Sequence, residues 1–237
     1  MTEEIKLTDV LGHVFGKEMD MSIVADEGSL NRIDNNVHLE KNVRATTEDG
    51  ATLRTDYLDW DAHNQKLTSD APVWIERRQM QAAGTGMVAQ PALNLVELKK
   101  DVTVKISIEE KSNQGLAPAV PTIITCDGPL EVEYEKNLAV FYENVKVKDG
   151  RGEIFADKMD VYFTTQSDGN KQVAGMQGLG IDKVVAVGEV EIHHGDNISY
   201  SRKAVYDTAT GKLTLTGRPK LIIYSTEDFS QLVETKE

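Results

Sequence analysis

His193 and His194 form the one adjacent histidine pair in the chain. In a strand, neighbouring side chains point to opposite faces, so the pair is poorly placed to chelate a single metal ion. His13, His38 and His63 have no cysteine or carboxylate around them at metal-ligand spacing. We therefore predict no metal site.

Other reactive residue types also lack the context that catalysis requires. Cys126 stands beside Asp127 and Gly128, which favours a small residue near a turn over a nucleophile. The glycines of residues 175–180 lack the G-x-G-x-x-G order of a dinucleotide loop and favour strand bulges. No G-x-S-x-G motif occurs, and alternating glutamates over 131–135 indicate a solvated strand face. We predict no cofactor and no enzymatic activity.

The composition of the chain limits its possible functions and cellular compartments further. A net charge of −13 disfavours sequence-independent binding to nucleic acid, although it also suits plain solubility. The single cysteine rules out an internal disulfide. Because cytosolic proteins and many periplasmic proteins lack disulfides, this does not identify the compartment. No apolar run approaches the roughly 18 residues that span a bilayer, and no signal peptide is recognisable. The sequence is expected to be cytosolic, or to be an exported protein without its export segment.

The elements that would have to position any site are built from a repeated unit. Four stretches place an Asn, Asp or Glu before a valine and continue with strand-type alternation: residues 39–45, 98–104, 141–147 and 186–192. Internal repetition of this kind has to be established before any local assignment.

The chain between these units is typical of an all-β protein. Turn signals separate short alternating segments at intervals of about 8–12 residues. Asp61 is followed by Lys66-Leu67-Thr68 and then Pro72, and Asp207 by Lys212-Leu213-Thr214 and then Pro219. We interpret each copy as strand, turn, strand, proline and strand.

One segment has a different periodicity. Leu7, Val10, Leu11 and Val14 recur at i, i+3, i+4 and i+7, which predicts a short amphipathic helix over residues 2–15. The helix would cap one end of the β structure, or dock to a membrane or a partner.

The expected organisation has five parts. Residues 1–20 form the helical cap, 21–110 a first β module, 111–121 a linker, 122–225 a second β module, and 226–237 a frayed tail. Polar residues and two prolines near 109–121 mark the linker.

Side-by-side units with one apolar face each would join into a long inner surface. If the sheet curls without closing, that surface becomes an apolar groove and two edge strands remain open to partners. These properties suggest a lipid-handling or scaffold protein.

The sequence resembles the lipopolysaccharide-transport bridge proteins LptC and LptA, the OstA-like family. Residues 55–61, the Pro72-Val73 strand and residues 84–87 resemble LptC. Residues 156–159, 188–192 and 212–219 resemble LptA. The first half, about 20–110, is thus LptC-like and the second, about 120–225, is LptA-like.

The resemblance implies a twisted open β-jellyroll whose apolar interior groove carries the acyl chains of lipopolysaccharide. It implies a periplasmic protein of outer-membrane biogenesis. Its expected partners are lipopolysaccharide and other Lpt jellyroll proteins, bound through edge strands. The inner-membrane transporter would lie at the N-terminal module and the outer-membrane translocon at the C-terminal module.

The expected acyl-chain contacts are the alternating apolar residues of the units and of neighbouring strands. They are Val43, Val102, Val104, Ile106, Val145, Val147, Met159, Val161, Val190, Ile192, Ile198 and Tyr200. Each would equally be apolar in the core of an ordinary β-sandwich. A structural β-repeat or adhesin-type protein that assembles through its edge strands is therefore the alternative.

Overall fold

The computed structural model describes residues 4–14, 20–48, 50–77, 79–90, 93–107, 120–150, 152–164 and 180–223. Almost all of these residues belong to fifteen strands. The strands are β1 (Glu4–Val14), β2 (Met21–Asn31), β3 (Val37–Thr47), β4 (Thr52–Asp61), β5 (Lys66–Arg77), β6 (Met80–Gln90), β7 (Leu95–Ile106), β8 (Thr122–Cys126), β9 (Leu130–Glu133), β10 (Leu138–Lys148), β11 (Gly152–Thr164), β12 (Gly180–His194), β13 (Asn197–Asp207), β14 (Lys212–Thr216) and β15 (Lys220–Ile222).

All fifteen strands belong to one antiparallel sheet whose order follows the chain. Each long strand pairs with the strand before it and the strand after it, from β1 to β14. Hairpin connections of this kind let the alternation of each strand continue in its neighbours. No ladder joins β1 to β14 or β15 within the described strands, so the sheet has two edges.

The two halves of the chain meet inside this sheet. β8 and β9 are short strands that both lie between β7 and β10. They act as one strand interrupted by the turn at Asp127–Pro129. The last strands repeat the design, since β14 and β15 both pair with β13 and are separated by residues 217–219. The expected order of strand, turn, strand, proline and strand is present at β13–β15, whereas in the first copy β5 runs on through Pro72 as a single strand.

One face of the sheet carries the core, and we call it the inner face. Its buried residues come from both halves and form one hydrophobic cluster. Because these residues come from a single sheet, the inner face must be folded over and packed against itself. The opposite, solvent-exposed side is called the outer face.

The expected N-terminal helix is wrong, because residues 4–14 form β1 and pair with β2 over ten positions. Asp9 has a φ of 52°. This irregularity changes the alternation, so that Leu7 and Val10, three residues apart, lie on the same side of the strand. Only Val10 and Val14 of the four apolar residues pack against the core, while Leu11 is 67% exposed. A strand with this irregularity places Leu7, Val10 and Val14 on one side at i, i+3 and i+7, a spacing that also fits two turns of helix.

Several expected features fall outside the described residues. These are residues 111–119 of the linker, the tail over 226–237 and the glycine-rich residues 175–179. On either side of the linker, β7 and β8 are joined by hydrogen bonds from Val102–Cys126 to Ile106–Thr122.

Candidate functional site: the apolar inner face

The four repeated units are four bulged strands with the same burial. In each, the first residue and the valine four positions later are both buried. The pairs, with their exposed fractions, are Leu39 (5%) and Val43 (1%), Leu98 (2%) and Val102 (1%), Phe141 (3%) and Val145 (1%), and Ala186 (3%) and Val190 (1%). A regular strand also returns to the same face after four residues, but here the backbone between the two residues is irregular.

A residue that accepts positive φ lies at each irregularity: Asn or Asp in three units and glycine in the fourth. Asn42, Asp101 and Asn144 have φ values of 52°, 54° and 52°, and Gly188 has 106°. Positive φ is tolerated best by Gly, Asn and Asp. The register shifts at all four places, between Glu40 and Val43, Lys100 and Thr103, Tyr142 and Val145, and Val187 and Val190. The unit is therefore a β-bulge followed by an inward valine.

An aspartate on a neighbouring segment stabilises three of the bulges. The Asn42 amide donates to Asp26 at 2.6 Å, and the Asn144 amide donates to Asp127 at 2.6 Å. At the fourth unit, the backbone N–H of Glu189 donates to Asp157 at 3.3 Å. Only the bulge geometry brings these groups together, so the sequence gives little indication of the contacts.

The inner face is continuous across the junction between the halves. One row of directly paired residues, here called the long row, runs from β1 to β15, and every member except Ser199 is apolar or glycine. It consists of Gly12, Ile23, Ala45, Leu53, Ile75, Ala82, Val104, Ile124, Val147, Ile154, Ile192, Ser199 and Leu221.

A second row of directly paired residues contains the first residues of three units, Leu98, Phe141 and Ala186. It consists of Met87, Leu98, Leu130, Phe141, Met159, Ala186, Ala204 and Leu215. It too crosses the junction through β9, which lies between Leu98 and Phe141. Both rows therefore give the two halves a common apolar surface.

Exposure differs between the centre and the margin of this surface. The centre is tightly packed, with Val73 at 0% and Met87 and Met159 at 1% exposure. The partly buried residues packed against this centre form its margin. They include Leu53, Ile75, Val147 and Ile192 of the long row, whereas Ala45, Val104 and Ile124 of the same row are buried. A long apolar molecule would meet the margin first.

Ten of the twelve expected contact residues lie on the inner face. Seven belong to the buried cluster: Val43, Val102, Val104, Val145, Met159, Val161 and Val190. Ile106, Val147 and Ile192 are partly buried against it.

The structure does not bring Ile198 and Tyr200 to that face. Ile198 pairs with His193 and Tyr200 with Glu191, whereas Ser199 and Ser201 pair with the inward Ile192 and Val190. The first two inward positions of β13 therefore carry serine, with Ser201 8% exposed, and Ala204 then continues the inner face. Ile198 and Tyr200, at the start of the strand, point outward.

Sequence reasoning missed large residues of the inner face. Leu39, Leu98 and Phe141 each open a unit, and Val73 follows Pro72. The repetition that identified the valines could also have identified Leu39, Leu98 and Phe141, because each precedes the valine of its unit by four residues.

Burial determines the chemistry of Cys126, the single cysteine of the chain. Cys126 is 3% exposed, its thiol donates to the Gly128 carbonyl at 3.3 Å, and burial raises its pKa to about 11. A thiol of that pKa is almost fully protonated at neutral pH and is a poor nucleophile. Across the described residues, no three His, Cys, Asp or Glu side chains are grouped to hold a metal ion.

An open antiparallel sheet with a continuous apolar inner face defines the molecule as a protein of the β-jellyroll class. Residues 2–107 match the family model for lipopolysaccharide-assembly, LptC-related proteins. Residues 128–232 match the model for the LptA and LptD N-terminal domain family of lipopolysaccharide transport proteins. The chain therefore belongs to the lipopolysaccharide-transport bridge proteins, with an LptC-related half followed by an LptA-related half.

These matches confirm the expected family, the order of the halves and the β-jellyroll fold. Domains of these families are periplasmic, are not enzymes, and have lipopolysaccharide and other Lpt proteins as partners. The first match begins at residue 2 and so includes β1. A search of curated proteins found no match. No helix among the described segments has the length and apolarity to cross a membrane.

Proposed function

We propose that the chain carries the acyl chains of lipopolysaccharide along its inner face, from the inner-membrane transporter towards the outer membrane. The LptC-related half would face the transporter and the LptA-related half the translocon. The observation that carries this proposal is the long row, which crosses the junction without a polar interruption from Val104 through Ile124 to Val147.

The proposed contacts are the ten expected residues that lie on the inner face. They are Val43, Val102, Val104, Ile106, Val145, Val147, Met159, Val161, Val190 and Ile192. Each buried CH₂ of an acyl chain would contribute about 0.8 kcal/mol without requiring a specific shape. Binding of this kind suits a cargo that has to move along a surface.

The tight packing at the centre of the inner face limits how acyl chains would enter it. Val43, Val145 and Val190 are each 1% exposed, so an acyl chain cannot reach them unless the two walls of the folded sheet separate. Val147 and Ile192 are only partly buried and can be reached first. We propose that the chains bind along the long row and separate the central valines as they enter.

The sheet edges provide the proposed connections to neighbouring proteins. Among the described strands, β1 pairs only with β2, and β14 and β15 pair only with β13. The unpaired backbone groups of such strands can extend a sheet into a second molecule. We propose that β1 contacts the transporter side and β14 the translocon side, with no catalytic step in the transfer.

Open edges also support the second candidate function, a structural protein that assembles through its edges. The two candidates differ in what the inner face touches. In the structural alternative, the interior remains a closed core and never contacts lipid.

A photo-crosslinking amino acid at Val147 tests the proposal in Gram-negative cells. Its matched control is Lys146, the preceding residue of β10, which is also half-buried but faces outward. The proposal predicts a lipopolysaccharide adduct at position 147 and none at position 146. Equal labelling at both positions, or no adduct at 147, would favour the structural alternative.

A further inference from the structure

A depression of about 660 Å³ lies on the outer face of β3–β7. Most of its lining comes from two adjacent outer rows, and Asn42, Asp56 and the inward Val43, Thr55, Ile75 and Ala82 also border it. One row is Arg44, Arg54, Trp74, Ala83 and Thr103, and the other is Thr52, Glu76, Gln81 and Lys105. Directly opposite residues on paired strands have Cβ atoms about 5 Å apart, so each row is a compact line of neighbours.

The charge of the depression differs from that of the chain. Arg44, Arg54 and Lys105 line it against two acidic residues, Asp56 and Glu76, whereas the whole chain carries −13. Arg44 and Arg54 are cross-strand partners, which places two like charges opposite each other. Like charges directly opposite each other are mildly destabilising, and an anion bound between them would relieve the repulsion.

None of the three cations is engaged by a carboxylate. In the described part of the chain, Arg44, Arg54 and Lys105 make no ion pair within 4.0 Å, although other lysines of the outer face do. The guanidinium groups keep their donors for a ligand, and their planar fork matches phosphate oxygens.

Trp74 adds an aromatic surface to this cationic site. It is 52% exposed and lies directly opposite Arg54 on the paired strand. The small Ala83 on its other side leaves its ring accessible. Exposed aromatic surface beside hydrogen-bonding groups, here Gln81 and Thr103, is typical of a ligand site in which a ring stacks and its substituents are oriented.

We propose that this depression binds a phosphorylated saccharide. The phosphate would lie between Arg44 and Arg54, a sugar ring would stack on Trp74, and Lys105 and Gln81 would contact its other substituents. The two acidic residues would accept hydrogen bonds from sugar hydroxyls. Nucleic acid would require a longer cationic surface than three side chains in an acidic protein.

The site lies on the same strand segments as the margin of the inner face. Thr52 and Arg54 flank the inward Leu53, and Lys105 follows the inward Val104. If the proposed function holds, the phosphorylated sugars of the cargo would be held outside while its acyl chains occupy the inner face. The binding site itself does not depend on that function.

The direct test is calorimetric titration with a bisphosphorylated glucosamine disaccharide that has no acyl chains. We expect saturable binding, at least tenfold weaker in Arg54→Ala and in Trp74→Ala. Arg202→Ala is the matched control, because Arg202 is an exposed arginine of β13 outside the depression, and its affinity should be unchanged. Circular dichroism would show that each variant is folded.

Two further ligands test the two parts of the proposal. Inorganic phosphate and the unphosphorylated disaccharide should each bind at least tenfold more weakly than the bisphosphorylated compound. Equal binding of inorganic phosphate, equal binding by Arg54→Ala, or no saturable binding would overturn the proposal. Because the probe has no acyl chains, these results are independent of the crosslinking outcome at Val147.

A photo-crosslinker at Thr103 identifies the source of the saccharide in cells. A lipopolysaccharide adduct would assign the site to the cargo. An adduct with a free phosphorylated oligosaccharide would support the site and separate it from transport.

Discussion

Val145 and Val147 lie two residues apart on β10 and face the same side, but they differ in environment. Val145 is 1% exposed in the packed centre, and Val147 is partly buried in the long row. A charge introduced at each position should therefore have a different effect. This pair separates the stability of the core from the function of the inner face.

We predict that Val145→Glu lowers the free energy of unfolding by more than about 3 kcal/mol, because its carboxylate has no route to water. Val147→Glu should cost only about 1 kcal/mol, since its carboxylate can reach solvent. Val147→Glu should nevertheless abolish lipopolysaccharide transport. Denaturant unfolding and a transport assay measure the two quantities, and wild-type transport by a folded Val147→Glu protein would contradict the acyl-chain role.

His38 provides a pH-dependent contribution at the residue scale. Its Nδ1 contacts Asp59 and its Nε2 lies 2.7 Å from Glu40. The hydrogen bond to Asp59 is the main cause that raises the His38 pKa above its usual value; partial burial opposes it and Glu40 adds to it. A raised histidine pKa means that the folded state binds the proton more tightly than the unfolded state.

We predict that this stabilisation is fully present below the unfolded pKa of about 6.5 and disappears as pH rises through the higher folded pKa. The loss should be below about 1 kcal/mol, because the side chain is 39% exposed. His38→Gln should remove this part of the pH dependence. Denaturant unfolding from pH 5.5 to 8.5 measures it, and identical profiles for the two proteins would contradict the assignment.

At the scale of the strand, the bulge explains both the success and the error of sequence reasoning. Three of the bulges were recognisable from the Asn or Asp before the valine, because only a few residue types accept positive φ; in the fourth unit that conformation falls on Gly188 and not on Glu189. The same kind of irregularity in β1, at Asp9, produced spacing that also fits a helix. Sequence periodicity could not distinguish the two, because pairing of β1 with β2 decides the outcome.

The faces of the strands were predictable for ten contact residues and not for Ile198 and Tyr200. The tight turn at Gly195 and Asp196 pairs His194 with Asn197 and so sets the register of β13. That register places serines on the inner face. Apolar alternation alone therefore assigns β13 to the wrong face.

Gly188 tests whether the fourth bulge is required. We predict that Gly188→Ala destabilises the protein by about 2–4 kcal/mol, because the new Cβ would lie 2.1 Å from the Asp157 carboxylate and φ is 106°. Gly195→Ala is the matched control: φ is also positive there, at 58°, but no atom lies within 4 Å of the added Cβ.

Gly195→Ala should therefore cost only about 1 kcal/mol. Thermal or denaturant unfolding measures both variants. Equal losses would show that strain in φ, and not the contact with Asp157, accounts for the requirement for glycine.

At the scale of the molecule, the two family modules are united by the strands between them. The sequence predicted two modules and a linker, and the family matches fall on either side of residues 108–127. β8 lies in that interval and pairs with both β7 and β10. A short strand between modules carries too little pattern of its own for sequence reasoning to identify it as the connection.

The central claim is that one apolar path crosses this connection from the first half to the second. Pulse-chase photo-crosslinking at Ile75 and Ile192, both partly buried members of the long row, tests it most directly. After a pulse of labelled lipopolysaccharide, we predict adducts at Ile75 first and at Ile192 later, with none at the outward Glu191. Adducts at Ile192 that precede those at Ile75, or that are absent while Ile75 is labelled, would contradict a continuous path in the proposed direction.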